Sequence, residues 1–362
     1  MADQFTNQTC SSFADFMTKL NSFVVTTMGW TAEDLDGVGT LGIDTTAGEA
    51  AWSKAAAGTN TNDIQVAFQW DAAGTPVSLG IYQYNHASGA GNYQSANNPY
   101  DQPTDSGNGA QSTSEASLVA DRNCEIGSGG PVQFWAFAGT SPVEYVYVVV
   151  ETTSGQYRHF GFGELQKFND WTGGAFAYGY RHTSVAGGSV GVQVTSSYLL
   201  DGAHRASNAQ KYCATINAEG LPNQVASGMY CIVSSIEQLY VHSVGNDRQT
   251  SPIARGIMQG GYRQSIFAAQ YGVFPASPLT GFVPGYPIGL MYLDSSLSVD
   301  DWYGPMGIMD GVRGVNISQF EPGEDVTIGG VVWTMFPAKK KGTGTDSTGT
   351  GNQGMMYRKN VV

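Results

Sequence analysis

The residues nearest to a nucleophile motif are Ile126-Gly127-Ser128-Gly129-Gly130-Pro131. A serine followed by Gly-Gly-Pro is used around protease nucleophiles, but there an aspartate precedes the serine, and Gly127 holds that place here. A serine nucleophile also needs a histidine base steadied by a carboxylate. Only His86 precedes Ser128, and its surroundings, YNHASG, carry no catalytic-histidine pattern. A tight turn ahead of a strand at 133–137 accounts for the glycines. The five histidines, at 86, 159, 182, 204 and 242, show neither H-x-x-x-H nor H-E-x-x-H spacing. His159 is therefore read as a satisfied core or strand histidine, with a spatial pairing to His182 as the functional alternative. Phosphate binding has no P-loop behind it: the glycine tract after Lys341 lacks a following G-K-S or G-K-T. The run Gly37-Val38-Gly39-Thr40-Leu41-Gly42 follows a helix rather than a strand, which is the wrong context for a dinucleotide site. The acidic pairs Asp34/Asp36, Asp300/Asp301 and Glu324/Asp325 could serve glycoside hydrolysis only at a defined separation in space, and are read as loop carboxylates. No catalytic residue, metal ligand or cofactor is expected.

Composition narrows the classes further. The chain has 362 residues, long enough for a large core, and only 13% are charged, about half the usual share. Forty-eight glycines and 12% aromatics suit a turn-rich β protein whose surface is covered by neighbours. A net charge of −13 argues against sequence-independent nucleic-acid binding, which needs a basic footprint. Cys10, Cys124, Cys213 and Cys231 are widely spaced without a C-x-x-C pair, so reduced buried thiols are expected. No apolar run has the length of a membrane span, and MADQFTNQTC lacks the regions of a signal peptide. Synthesis and folding in a cytoplasm are the expectation.

The elements that must position these groups are mostly strands. Residues 12–28 are the best helix: Phe13, Phe16, Met17, Leu20, Phe23 and Val24 share one face. Ser12 can cap it, Asp15 stands where a capping-box acid would be, and Gly29 ends it. Residues 63–70 (DIQVAFQW) alternate with a period of two and find a partner in 77–84. Residues 144–174 hold the strongest strand signal. Val146, Val148 and Val150 lie on one face, Tyr145, Tyr147 and Val149 on the other, so this strand should be covered on both sides. A turn at 152–155 returns it as a second strand, 156–163, and 133–137 pairs beside it. Residues 286–290 and 326–336 return to strand patterning. The expected division is 1–60, helix and lead-in; 61–182, main β domain; 183–285, insertion or second subdomain; 286–338, closing β segment; 339–362, Gly/Thr-rich linker and C-terminal arm. Strands are expected at 190–200 and 229–233, and a short helix within 253–271.

The fold class expected is mainly β: an antiparallel sheet or sandwich with an N-terminal amphipathic helix packed on it, long loops and a flexible C-terminal arm. In combination the segments resemble virion structural proteins of tailed bacteriophages. The helix ending at Met28-Gly29-Trp30, the strand DIQVAFQW, a long polar loop, VQFWAF, EYVYVVVE, HFGFGEL, WTGGAF, GYPIGL and VVWTMFP carry it. It covers about half the chain, mostly residues 12–182, and is a resemblance of pattern. It implies a non-enzymatic part of tail, neck or baseplate, assembled in the host cytoplasm with copies of itself and other virion proteins. The interface candidates are Lys339, Lys340, Lys341, Tyr357 and Arg358 in the arm and Tyr93 and Tyr100 in loop 85–128, which would be the contact surface of a receptor- or glycan-binding tip. Neither membrane insertion nor specific nucleic-acid binding is expected. The alternative is a tip protein that binds a host receptor or glycan.

Overall fold

The computed structural model describes residues 3–33, 41–46, 48–55, 64–70, 78–83, 124–126, 130–153, 155–168, 172–179, 214–219, 230–234, 239–243, 285–293, 302–317, 319–337 and 353–361. Over these the chain is mainly β, with antiparallel strands in three sheets and one short α-helix near the N-terminus. The strands are β1 to β20 in chain order.

The central sheet runs β1 (Gln4–Thr9), β8 (Gln133–Gly139), β9 (Tyr145–Thr153), β10 (Gln156–Glu164), β12 (Thr172–Gly179) and β13 (Ala214–Glu219). The β9–β10 hairpin and the β8–β9 pairing stand where the sequence pattern places them. All six residues from Tyr145 to Val150 are fully buried. A strand apolar on both faces needs a layer on each side, and β9 has both.

The first layer is the helix and a small sheet. Helix α1 (Phe13–Asn21) continues as a π-helical segment, Ser22–Thr27. The small sheet runs β2 (Thr31–Glu33), β4 (Glu49–Lys54), β5 (Ile64–Gln69), β6 (Ser78–Gln83) and β7 (Cys124–Glu125), with β3 (Ile43–Asp44) beside β4. Val146, Val148 and Val150 share one cluster with Phe16, Leu20, Trp52, Phe68 and Phe160. Phe16 meets Phe134 at 5.2 Å and Trp30 meets Phe162 at 5.1 Å, both edge to face. Ser12 caps α1, its hydroxyl accepting from the Asp15 N–H at 3.1 Å. The Asp15 carboxylate reaches back to the Ser11 N–H at 2.8 Å rather than to Ser12, so the reciprocal bond is offset by one residue. After Asn21 the turns widen: the Trp30 N–H bonds the Val24 carbonyl at 3.1 Å, which delivers the indole into the core.

The second layer is an eight-stranded sheet. Its order is β15 (Leu239–Ser243), β14 (Tyr230–Ser234), β16 (Tyr286–Leu293), β17 (Trp302–Asn316), β20 (Gln353–Val361), β19 (Val331–Pro337) and β18 (Asp325–Ile328). The short β11 (Gln166–Lys167) also pairs with β17. Trp135 packs on Phe336 at 4.9 Å, and Phe137 stacks on Tyr357 at 5.2 Å. The stretch 326–336 is a hairpin, not one strand. Gly329 and Gly330 form its two-residue loop with φ of 60° and 81°, the left-handed pair that a tight hairpin turn requires.

One expectation changes here. Residues 353–361 are not the end of a flexible arm. They form β20, hydrogen-bonded to β17 on one edge and β19 on the other, and Met355, Met356 and Tyr357 are buried. An apolar triplet gains more from insertion into a covered sheet than from any exposed position. The described strands within 183–285 are likewise sheet members: β13 extends the central sheet, and β14 and β15 extend the eight-stranded one. The segments 190–200 and 253–271 lie outside the described residues.

Candidate functional site

Polar side chains buried between the layers are the candidates for chemistry, and three groups stand out. The first lies between the central and eight-stranded sheets. Alternation along β10 turns His159 toward β19 and β20, with no exposed surface. Its Nε2 lies 2.9 Å from the Pro337 carbonyl oxygen, and its Nδ1 lies 2.7 Å from the Tyr357 hydroxyl. A carbonyl only accepts, so the proton sits on Nε2, and Nδ1 accepts from the tyrosine. Burial drives the histidine pKa down to about 3, which fixes the ring as neutral. A general base needs a nitrogen within reach of a substrate proton. Both nitrogens of His159 are committed inside the chain, so the pair pins one sheet to the other.

The second group begins one residue later, at Arg358. Its guanidinium grips Asp310 on β17 with two bonds, Nη1 to Oδ1 at 3.2 Å and Nη2 to Oδ2 at 2.8 Å. Nε lies 3.1 Å from Asp3 Oδ2, and Nη2 donates to the Ser141 carbonyl at 3.3 Å. The Tyr145 ring lies 5.4 Å from the guanidinium carbon, and its hydroxyl donates to Asp3 Oδ1 at 3.4 Å. Burial holds that phenol well above its ordinary range. Next to this cluster, Gly311 takes φ of 74° directly under the Tyr145 ring, where a Cβ would collide with the phenol carbon and oxygen. One arginine thus ties together the start of β1, the β8–β9 connection, β17 and β20.

The third group lies on the opposite face of β9. Glu144 accepts from the Trp30 indole N–H at 3.0 Å, and the Lys54 ammonium lies 3.7 Å away. Lys54 also donates to the Met28 and Gly29 carbonyls at 2.8 and 3.2 Å. Burial raises the Glu144 carboxyl; Lys54 and the indole pull it back, and Glu164 adds repulsion. This carboxylate fastens the helix exit and β4 to the central sheet.

The residues expected at contacts divide as follows. Tyr93, Tyr100, Lys339, Lys340 and Lys341 lie outside the described residues, as do Ser128 and His182. Tyr357 is buried and Arg358 half-buried, neither on a free arm, because β20 carries them between two strands. Within the β18–β19 hairpin and its lead-in, Asp325 accepts from Thr334 at 2.6 Å and Glu324 accepts from the Glu321 N–H at 2.8 Å; Asp325 also accepts from Lys359 of β20 at 2.6 Å. Cys10 is a free, half-buried thiol that burial pushes up to about 11. Sequence reasoning missed Asp3, Asp310 and Glu144. Only Glu144 carried a signal, as a charged residue set directly before a strand apolar on both faces.

Among the described residues, no three His, Cys, Asp or Glu side chains converge where they could hold a metal ion, and no helix is long and apolar enough to cross a membrane. No known protein-family model matches the chain, and no curated protein matches it in sequence.

Proposed function

We propose that the chain is a non-enzymatic structural subunit of a tailed-bacteriophage particle, in its tail, neck or baseplate, acting through contacts with copies of itself and other particle proteins. One observation carries this reading. Among the described residues, the side chains best equipped for chemistry, His159, Tyr357, Arg358 and Glu144, are each committed to fastening one layer of the chain to another. That is the arrangement of a rigid building block. The low charge of the chain and the likeness of its segments to virion structural proteins point the same way. In this reading the layers form a sandwich with α1 packed on it. Tyr93, Tyr100 and Lys339 to Lys341 then belong to subunit contacts. The test is protein mass spectrometry of density-purified particles. The chain is expected in a fixed ratio to the other particle proteins. Its confinement to the soluble lysate would sink the proposal, and saturable binding of the purified chain to one glycan would replace it with a receptor-binding role.

A further inference from the structure

The open edge of β1 presents a surface of a defined kind. Among the described residues, β1 ends the central sheet, paired with β8 alone through an unbroken register from Gln4 to Thr9. The direction of its backbone groups follows from two bonds. The Cys10 N–H donates to the Val132 carbonyl at 2.8 Å, so backbone groups at residue 10 face the β8 side. With a period of two, those of Gln4, Thr6 and Gln8 face β8 as well, and those of Phe5, Asn7 and Thr9 face away. Lys19 fits this assignment, its ammonium donating to the Thr9 carbonyl at 2.8 Å and closing that end of the edge. Phe5 and Asn7 are left to offer two N–H and two C=O groups outward.

Natural edges are guarded by charge, proline, bulges or short length. Of the two described end strands of the eight-stranded sheet, β18 follows that rule: it has four residues, opens on Asp325 and follows Glu321 and Glu324. Strand β1, QFTNQT, has six residues, no charge, no proline and no bulge. Its residue types are also symmetric, because Gln4, Thr6 and Gln8 read the same in both directions.

We propose that β1 is a self-association edge. Two copies pair their β1 strands antiparallel about a twofold axis at Thr6, with Phe5 of each copy bonded to Asn7 of the other. Thr6 then faces its own equivalent and Gln4 faces Gln8, so hydroxyl meets hydroxyl and amide meets amide. The central sheets, six strands in each copy, become one. A second copy is the fitting occupant on charge as well. Copies of a chain with a net charge of −13 repel one another, and a neutral, self-complementary strand is where that repulsion is least. This deepens the assembly reading by naming one contact, and it is tested on the purified chain alone.

Asn7→Pro removes an outward N–H and the side-chain bond that Gln133 Nε2 donates to Asn7 Oδ1 at 2.6 Å, while leaving every β1–β8 backbone bond in place, at a position where an edge strand tolerates proline. Analytical ultracentrifugation should show a weak, concentration-dependent dimer for the unaltered chain. Asn7→Pro should weaken it by about tenfold or more, since two outward bonds are lost per dimer, with an unchanged circular-dichroism spectrum. Thr6→Cys, in a Cys10→Ser background, supplies an independent readout. Residues directly opposite in a non-hydrogen-bonded pair stand about 4.5 Å apart at Cα, within disulfide reach. Oxidation should therefore yield a covalent dimer that Asn7→Cys in the same background does not match. If Asn7→Pro fails to fold, the Thr6→Cys result decides. A monomeric unaltered chain, a dimer indifferent to Asn7→Pro, or no preference for the position 6 cross-link would overturn the pairing. None of these would decide whether the chain is incorporated into particles.

Discussion

Replacing His159 with glutamine tests the sheet-to-sheet pin through its pH dependence. The folded histidine titrates near 3, against 6.5 for the free side chain. The folded value lies below the free one, so the stabilisation is complete above about pH 6.5 and is lost as pH falls toward 3. In that window the unfolded chain takes up a proton that the folded chain refuses, at about 1.4 kcal/mol per pH unit. From pH 7 to pH 4.5 this one ring should remove about 2–3 kcal/mol of stability. It is fully buried, so solvent screening does not reduce the figure. Urea unfolding of the unaltered chain and His159→Gln at pH 7, 6, 5 and 4.5 isolates the effect, because distant carboxylates contribute alike to both and cancel in the difference. The unaltered chain should be the more stable at pH 7, with the gap shrinking by about 2–3 kcal/mol by pH 4.5. Tyr357→Phe should lower stability by about 1–3 kcal/mol throughout, since it leaves Nδ1 without a donor. Its pH slope should stay, because burial rather than the hydroxyl sets the shift. A gap constant across the series would mean that the ring titrates alike in both states, and the reasoning fails.

Other outcomes follow from the same contacts. Deleting residues 353–361 should leave the chain aggregated or lacking cooperative unfolding by calorimetry, since β20 is hydrogen-bonded to strands on both sides. Glu144→Gln should gain stability relative to the unaltered chain as pH rises from 4.5 to 7 in urea titrations. The raised carboxyl gives its best contribution while still protonated and a smaller one once ionised beside Glu164. Ser12→Ala should lower the unfolding free energy by about 1 kcal/mol, the usual effect of losing a helix cap.

Much of the central architecture is legible in the sequence where periodicity is strong. The α1 stripe, β5, and the β9–β10 hairpin all declare themselves through spacing, and the turn glycine at 155 supports the hairpin. Among the strands that escape, four do so for different reasons. Strand β1 is polar apart from Phe5, as an edge can be. Strand β4, EAAWSK, buries alanines that carry little hydrophobic signal. Strand β17 is interrupted by four glycines, among them Gly311, which is there to clear the Tyr145 ring. Strand β20 buries Met355, Met356 and Tyr357 in succession, because a strand covered on both faces loses its alternation. Its preceding Gly/Thr tract then makes it read as a tail. The polar site was illegible for a related reason: His159, Tyr357 and Pro337 are far apart in the chain and meet only through sheet packing.

The central claim, a structural subunit of a phage particle, is tested most directly by an electron cryo-microscopy map of intact phage particles purified from cells that make the chain. The account predicts repeated copies of this layered β core in the tail, neck or baseplate, with the His159–Tyr357 pin buried inside each copy. Mature particles without density for the chain would contradict it, as would a copy whose His159 opens onto a bound substrate.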